Sequence, residues 1–400
     1  YEKSPNISAW KDSILMVGRI DDVAEQKQYS YIYGRNISNG EAKCDLIYNQ
    51  ISGFWSGKRF KFCDTWTDHP NDSNYQVNVA NFTERINMGY PFIHIDTHGE
   101  YSAFGLETDT FNIENVMNIV NPSQSLIVTS ACNTNDFYHF PHSDCLSETF
   151  MKNPTGGIIG YWGPSDLSWG TKDNDFSLGV ADNFNVQFYS SLFVDENNHL
   201  GNAAFATKSE FASYANTYND PIRWMLFAFN LLGEPEMPIY IREPKKFGIG
   251  NIIYNNGNLG IELNKSDIDY NSDNHIKVVI MSLDDDGESY YDSIPKTMPG
   301  IFIDLPDNKN YSLCFMRPGY CPFVLNCYLS GYIQNDTLAD MSVSFCDNLQ
   351  IGHNVTTQKV NGPVVIEDVG SLDVRDFKNV TIKNSFEVKK GGKLTIDPTE

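Results

Sequence analysis

Basic residues are scarce in this chain. Its 29 lysines and arginines stand against 51 acidic residues, a formal charge of −22 at pH 7. A nucleic-acid groove needs clustered Lys and Arg, so the balance argues strongly against that class and weakly favours a cationic substrate. Long apolar runs are missing as well. No stretch approaches the roughly 18 consecutive apolar residues of a membrane span. The eight cysteines form no C-x-x-C pair, which argues against a zinc ribbon or a thioredoxin-type centre. No EF-hand pattern occurs. No signal peptide is evident either, and Tyr1 reads as the start of a mature chain.

What is present is a large apolar complement, 41% hydrophobic and 13% aromatic, enough for well-formed cores. Four hundred residues exceed one ordinary core, so two or three domains are expected. Apolar segments at 13–20, 43–50, 91–98, 124–131 and 156–163 read as strands. Amphipathic segments at 21–34, 74–88, 107–120, 144–153, 176–193 and 200–215 read as helices. This alternation predicts an α/β domain, a mostly parallel sheet flanked by helices, over residues 1–243. The prolines and the Pro-Lys-Lys step in "GEPEMPIYIREPKKF" end it. Turn signals about every ten residues then predict an all-β sandwich over 244–346. A β-rich tail follows over 347–400, its short β-branched dyads suggesting a β-solenoid. Cys314, Cys321, Cys327 and Cys346 cluster in the sandwich, where disulfides of an exported protein could form.

The stretch "PFIHIDTHGEYSAFG" carries the first chemical signal. Residues two apart on a strand share a face, so His94, Asp96 and His98 could bind zinc, with His139, His142 and Asp144 as further donors. The competing reading pairs His98-Gly99 with Ala131-Cys132. Both dipeptides close an apolar strand, and segment 107–120 has room for one crossover helix between them. In a parallel sheet that brings both strand ends to one edge, where ligands bind. A thiol beside an imidazole loses its proton more readily and becomes a strong nucleophile. The amides of Gly99 and Cys132 could then receive an oxyanion.

The blocks "HIDTHGE", "LIVTSACNTNDF", "DCLSETFMKNPTGGIIGYWGPSDLSW" and "FNLLGEPEMPIY" occur in an order that resembles the gingipain-type cysteine peptidases of the caspase-like clan. The similarity runs from about residue 17 to Tyr240. It implies a caspase-like catalytic domain followed by an immunoglobulin-like domain. It further implies an exported, secreted or cell-surface cysteine endopeptidase, of bacterial type, with Cys132 as nucleophile and His98 as general base and acid. In that family an acid after an earlier strand orients the histidine. The corresponding segment here, read as "CDLIYNQ", offers only Asn49 or Gln50, and an amide can serve. The family also carries more sequence ahead of the first strand, which implies an upstream segment or propeptide as a partner.

Segment 160–169, after the nucleophile, is where the family builds its specificity pocket. Trp162 is expected as a wall and Asp166 as a base that pairs with a basic P1 side chain. Asp136 is expected to fix the loop after Cys132, Glu148 to bond beneath the site, and Cys145 to be core. Protein or peptide substrates are the expected ligands, and no cofactor is required. Structural calcium could bind the Asp- and Asn-rich turns at 68–74 and 172–176, and 284–288 reads as a hairpin turn. Two alternatives stand beside the peptidase: a catalytically silent gingipain-like binding or adhesion protein, and a zinc hydrolase using His94, Asp96 and His98.

Overall fold

The computed structural model describes residues 13–19, 39–55, 58–63, 74, 76–106, 109–138, 143–170, 178–194, 199–215, 221–241, 244–255, 257–263, 276–284, 289–294, 300–305, 309–317, 320–339, 341–346, 348–357, 359–375 and 377–396. The chain divides into two compact units, Tyr1–Glu243 and Pro244–Glu400.

The first unit is α/β. Its strands are β1 (Ser13–Gly18), β2 (Lys58–Cys63), β3 (Phe92–Asp96), β4 (His98–Glu100), β5 (Ala103–Gly105), β6 (Thr110–Asn112), β7 (Ser125–Thr129), β8 (Ile158–Pro164) and β9 (Phe229–Gly233). Its helices are α1 (Asn39–Ile51), α2 (Val79–Asn87), α3 (Ile113–Val116), α4 (Leu146–Lys152), α5 (Val180–Val194), α6 (Leu200–Ala212) and α7 (Pro221–Ala228). The main sheet runs β2-β1-β3-β7-β8-β9. All neighbours are parallel except β9, which runs antiparallel to β8.

Strand alternation feeds two cores. Ile93, Ile95 and Ile127 turn to one face, under Phe82 and Ile86 of α2 and Phe150 of α4. Phe92, Leu126, Val128 and Trp162 turn to the other, under α1, α5, α6 and α7. Residues of β3 and β7 are buried on both sides, which is why they read as unbroken apolar runs.

Two assignments made from the sequence change here. Segment 43–50 is not a strand but most of α1. Cys44, Ile47 and Ile51, three and four residues apart, lie in one core, and that is helical spacing. Segment 107–120 is not one crossover helix. It holds β6 and the single turn of α3, and β4, β5 and β6 form a small antiparallel sheet of their own. Asn112 caps α3 by accepting N–H bonds from Glu114 and Asn115, which stops a longer helix from starting upstream.

The second unit is all β. A three-stranded sheet (Ile249–Asn255, Asn258–Leu263, Gly300–Asp304) is antiparallel, as are Ser289–Ile294, Ile276–Ser282, Asn310–Met316 and Phe323–Tyr328 in a second sheet. Ile252, Leu259, Ile303, Val278, Leu313 and Leu325 share their core. From Phe323 onward the pairing turns parallel. Phe323–Tyr328, Met341–Ser344, Ser371–Val374 and Lys393–Ile396 stack in register as one face. Tyr332–Ile333, Asn348–Ile351 and Asn379–Ile382 form a second face, and Asp336–Leu338, Val364–Ile366 and Phe386–Val388 a third. Leu338, Leu349, Val364, Leu372 and Val374 fill the coil. A boundary at 346/347 therefore does not occur, because it would cut the second turn of this coil between two of its strands. Among the described residues, Cys314, Cys321, Cys327 and Cys346 form no disulfide. Of the hairpin turn at 284–288, residues 285–288 lie outside the described residues.

The tightest backbone approach in the first unit sits where β1 ends and α1 begins. A Cβ on Gly18 would lie 2.5 Å from the Gly40 carbonyl, and one on Gly40 would lie 2.1 Å from the Arg19 oxygen. The Gly40 N–H donates to that same oxygen at 3.0 Å. Neither partner is a flexible side chain, so neither can yield. Gly18→Ala and Gly40→Ala are each expected to destabilise the unit by about 2–3 kcal/mol in urea unfolding. Gly170→Ala, whose added carbon meets nothing within 4 Å, is expected to shift stability by under about 0.5 kcal/mol.

Candidate active site

Strands β3 and β7 are adjacent and parallel, with Phe92 opposite Leu126 and Ile95 opposite Thr129. Their ends are tied by the Thr129 hydroxyl donating to the Ile95 carbonyl, an interaction spanning 34 positions. His98 and Cys132 are separated by the same 34 positions, so they follow the ends of neighbouring strands at matching distances. Past β3 the chain leaves the main sheet. His98 pairs with Gly105 in the β4–β5 hairpin and presents an exposed side chain. Past β7 it enters a turn over 132–135, with Asn133 at φ 59°, in the left-handed region where Asn is tolerated.

The two segments meet at Gly99. A Cβ there would fall 2.6 Å from the Cys132 carbonyl oxygen, 2.6 Å from Thr134 Cγ2 and 2.8 Å from the Ala131 Cβ. Only glycine permits this approach, which seats the His98–Gly99 backbone against the turn at 132–135.

Cys132 is half-buried, and its sulfur accepts the Ser168 N–H at 3.3 Å. The Ser168 hydroxyl donates to the Ser130 carbonyl at 2.7 Å. Thus the segment after β8 lies across the turn that holds Cys132. Asn133 donates its N–H to the Asp166 carbonyl at 3.1 Å, and Asn135 donates its own to the Pro164 carbonyl at 3.1 Å. Asn135 is the hub of the turn. Its buried amide donates to the Gly163 and Asn230 carbonyls and accepts from Ser147 of α4 at 2.7 Å. An uncharged buried side chain with every bond made holds such a turn without a desolvated charge. Ser168 and Asn135 carry no motif, and the sequence alone did not single them out. The one available signal was that both lie within a few residues of a strand end.

The remaining candidates separate clearly. Trp162 is not a pocket wall. It is fully buried in β8, stacked on Phe188 at 4.6 Å and packed against Phe229. Its place on a strand facing α5 requires this. The half-exposed aromatic beside the thiol segment is Trp169. Asp166 is exposed, and its carboxylate accepts the Leu167 N–H at 2.7 Å. Asn49 and Gln50 lie exposed in the last turn of α1. That helix starts beside the end of β1 and runs back along the sheet, so at about 1.5 Å per residue they stand some 15 Å from the catalytic edge. Neither can orient His98.

Glu148 accepts the Cys145 N–H at 3.0 Å and so caps α4. Cys145 is core, and burial raises its thiol above the ordinary value, which leaves it inert. The Asp136 N–H donates to the Asn133 carbonyl. Asp144 pairs with Lys152 at 2.6 Å. His139, His142 and the turns at 68–73 and 172–176 lie outside the described residues.

His94 and Asp96 share the α1/α5 side of β3, but the zinc set does not converge. β4 departs from the sheet before His98, and among the described residues no three His, Cys, Asp or Glu side chains group as metal ligands. Asp96 instead joins elements: Ser130 donates to it at 3.3 Å, and Lys43 of α1 lies 3.9 Å away. His94 packs against Tyr189 of α5 with ring centres 6.0 Å apart.

Cys132 is half-buried in the turn after β7, and His98 is exposed on β4, just past the end of the neighbouring β3. The comparisons name the family. The model of peptidase family C25 matches residues 1–240, and the chain belongs to that family and is a gingipain-type, cysteine-type peptidase. Solved structures share its fold, among them two of RgpB. The complex of Porphyromonas gingivalis RgpB pro- and mature domains superposes with a TM-score of 0.56 at 16% identity, covering 81% of this chain and 71% of that one. The Arg-specific cysteine proteinase gingipain R (RgpB) gives 0.55 at 16% identity, covering 81% and 69%. No curated protein sequence matches.

Burial holds the His94 imidazole down to about 4 against the opposing pull of the Asp182 carboxylate. A histidine whose proton is disfavoured in the folded state makes folding weaker as the unfolded chain begins to protonate. Its contribution is complete above the ordinary value near 6.5 and declines as pH falls toward about 4. On the order of 3 kcal/mol is lost across that window. His94→Leu is expected to flatten this part of the urea-unfolding pH profile; an unchanged slope would contradict the assignment.

Proposed function

We propose that this chain is an exported endopeptidase that cleaves peptide bonds through a Cys132/His98 dyad. The observation that carries this is the common offset of His98 and Cys132 beyond two hydrogen-bonded parallel strands, with Gly99 pressed on the nucleophile turn. The Cys132 thiolate attacks the scissile carbonyl carbon, and the oxygen takes up the negative charge within reach of the Gly99 and Cys132 amides. The C–N bond breaks as His98 gives its proton to the leaving amine. Water, giving a proton back to His98, then splits the thioester and frees the acid.

A basic P1 side chain suits the charge of −22 and the exposed carboxylate of Asp166, whose main chain bonds the turn beside Cys132. Export and a partner propeptide are supported by likeness to a protein solved as a complex of pro- and mature domains. Among the described residues, no helix is long and apolar enough to cross a membrane.

The test is covalent labelling and turnover. A thiol-directed peptidyl probe is expected to add its mass at Cys132 in wild type and far more slowly in His98→Gln. Cys132→Ala is expected to abolish cleavage of a fluorogenic peptide library while stability stays within about 1–2 kcal/mol. In that library, Arg or Lys at P1 is expected to lead. Cleavage at the wild-type rate by Cys132→Ala would refute the nucleophile, and equal rates for acidic and basic P1 would refute the pocket charge.

A further inference from the structure

Helix α7 buries Met225 and Ala228 but leaves Trp224 and Phe227, one turn apart on its outer side, 43% and 74% exposed. Beside them lies Leu167, 54% exposed. The three are built together. The Trp224 indole N–H donates to the Leu167 carbonyl at 2.8 Å. Ser165 donates its N–H to the Ala228 carbonyl at 2.7 Å. The Asn230 amide donates to Ser165 Oγ at 2.9 Å and to the Phe227 carbonyl at 3.0 Å. Large apolar side chains set side by side in water, on a chain rich in charge, mark a contact surface rather than a folding requirement.

Position decides what makes the contact. Leu167 immediately precedes Ser168, whose N–H reaches the Cys132 sulfur. A polypeptide presenting a bond to that sulfur must continue past it in extended form, advancing roughly 3.3 Å per residue with side chains to alternate sides. A chain crossing the 167–168 backbone sets one of those side chains over Leu167, Trp224 and Phe227. The three patch side chains are uncharged, with exposed Asp166 and Arg223 adjoining Leu167 and Trp224 in sequence, so the side chain that gains on the patch itself is bulky and apolar.

We propose that Leu167, Trp224 and Phe227 form a substrate subsite for an aromatic or long aliphatic side chain, a few residues from the scissile bond. This rests on the peptidase reading of Cys132 and adds to it a second specificity determinant, separate from P1. The occupant is the substrate itself, because the patch is continuous with the segment that covers the nucleophile.

The experiment is a set of fluorogenic peptides with P1 fixed and all flanking positions Gly, through which a single Phe or Leu is walked. One flanking position is expected to raise kcat/KM at least about ten-fold over Gly, the scale of one large apolar group entering a pocket. Phe227→Ser and, independently, Leu167→Asn are expected to collapse that ratio toward one. Met117→Ser, a 55% exposed residue at the end of α3 on the other face of the sheet, is expected to leave the ratio at its wild-type value. Thermal melts establish that each variant is folded. A flat walk, or a preference that survives both substitutions, overturns the subsite while leaving the peptidase intact. Absence of both cleavage and Cys132 labelling overturns the two readings together.

Discussion

Parallel pairing of β3 with β7 is the constraint on which the site depends. Parallel strands send their carboxyl ends to the same edge, and hydrogen bonds fix how far each end projects. Because Phe92 sits opposite Leu126 and Ile95 opposite Thr129, the two strands end at one edge, where the chain turns off into β4 on one side and into the turn at 132–135 on the other. The ends of the two strands are thus brought together by backbone geometry before any side chain takes part. A slip of one residue would turn His94 and Asp96 toward the α2/α4 core and Ile95 toward α5, exchanging apolar for polar groups in both layers. Register is therefore enforced by the same alternation that fills the cores.

Around that frame, neutral groups carry most of the local order. Asn135 joins the nucleophile turn to β8, β9 and α4, and Ser168 bridges the Cys132 sulfur and the Ser130 carbonyl. Charged groups near the edge are matched locally, as where Lys43 and Ser130 meet Asp96.

The legible parts of the sequence were those in which one residue has one physical meaning. Buried parallel strands announced themselves as unbroken apolar runs, so β1, β3, β7 and β8 were readable. Gly99 was read as leaving room for a substrate carbonyl, whereas the structure shows a different need for glycine there, the close approach of the turn at 131–134. The failures came where patterns overlap. Segment 43–50 has adjacent apolar residues that fit either period, and only the contacts of Cys44, Ile47 and Ile51 select the helix. With that error went the histidine orienter, since Asn49 and Gln50 end a helix that runs away from the edge. Trp162 was misjudged because a large aromatic in a Gly-rich strand looks like a surface wall, whereas its neighbours in space, Phe188 and Phe229, lie 26 and 67 positions later and are invisible to local pattern.

The segment from Ser165 to Trp169 shows why such long-range partners matter for function. Its local sequence is turn chemistry, with Pro, Ser and Asp in succession, and predicts nothing beyond a surface bend. Its position comes from elsewhere: Ala228 and Trp224 of α7 hold one side, Asn133 holds the other, and the Trp169 carbonyl takes the Ala181 N–H at the start of α5. A loop pinned at both ends and in the middle is a rigid cover, not a mobile lid. Ser168 holds the Cys132 sulfur, and Leu167 beside it takes the Trp224 indole N–H. Contact with the thiol and contact with α7 then reside in consecutive residues of one short segment, so a change in how α7 packs would be felt at Cys132.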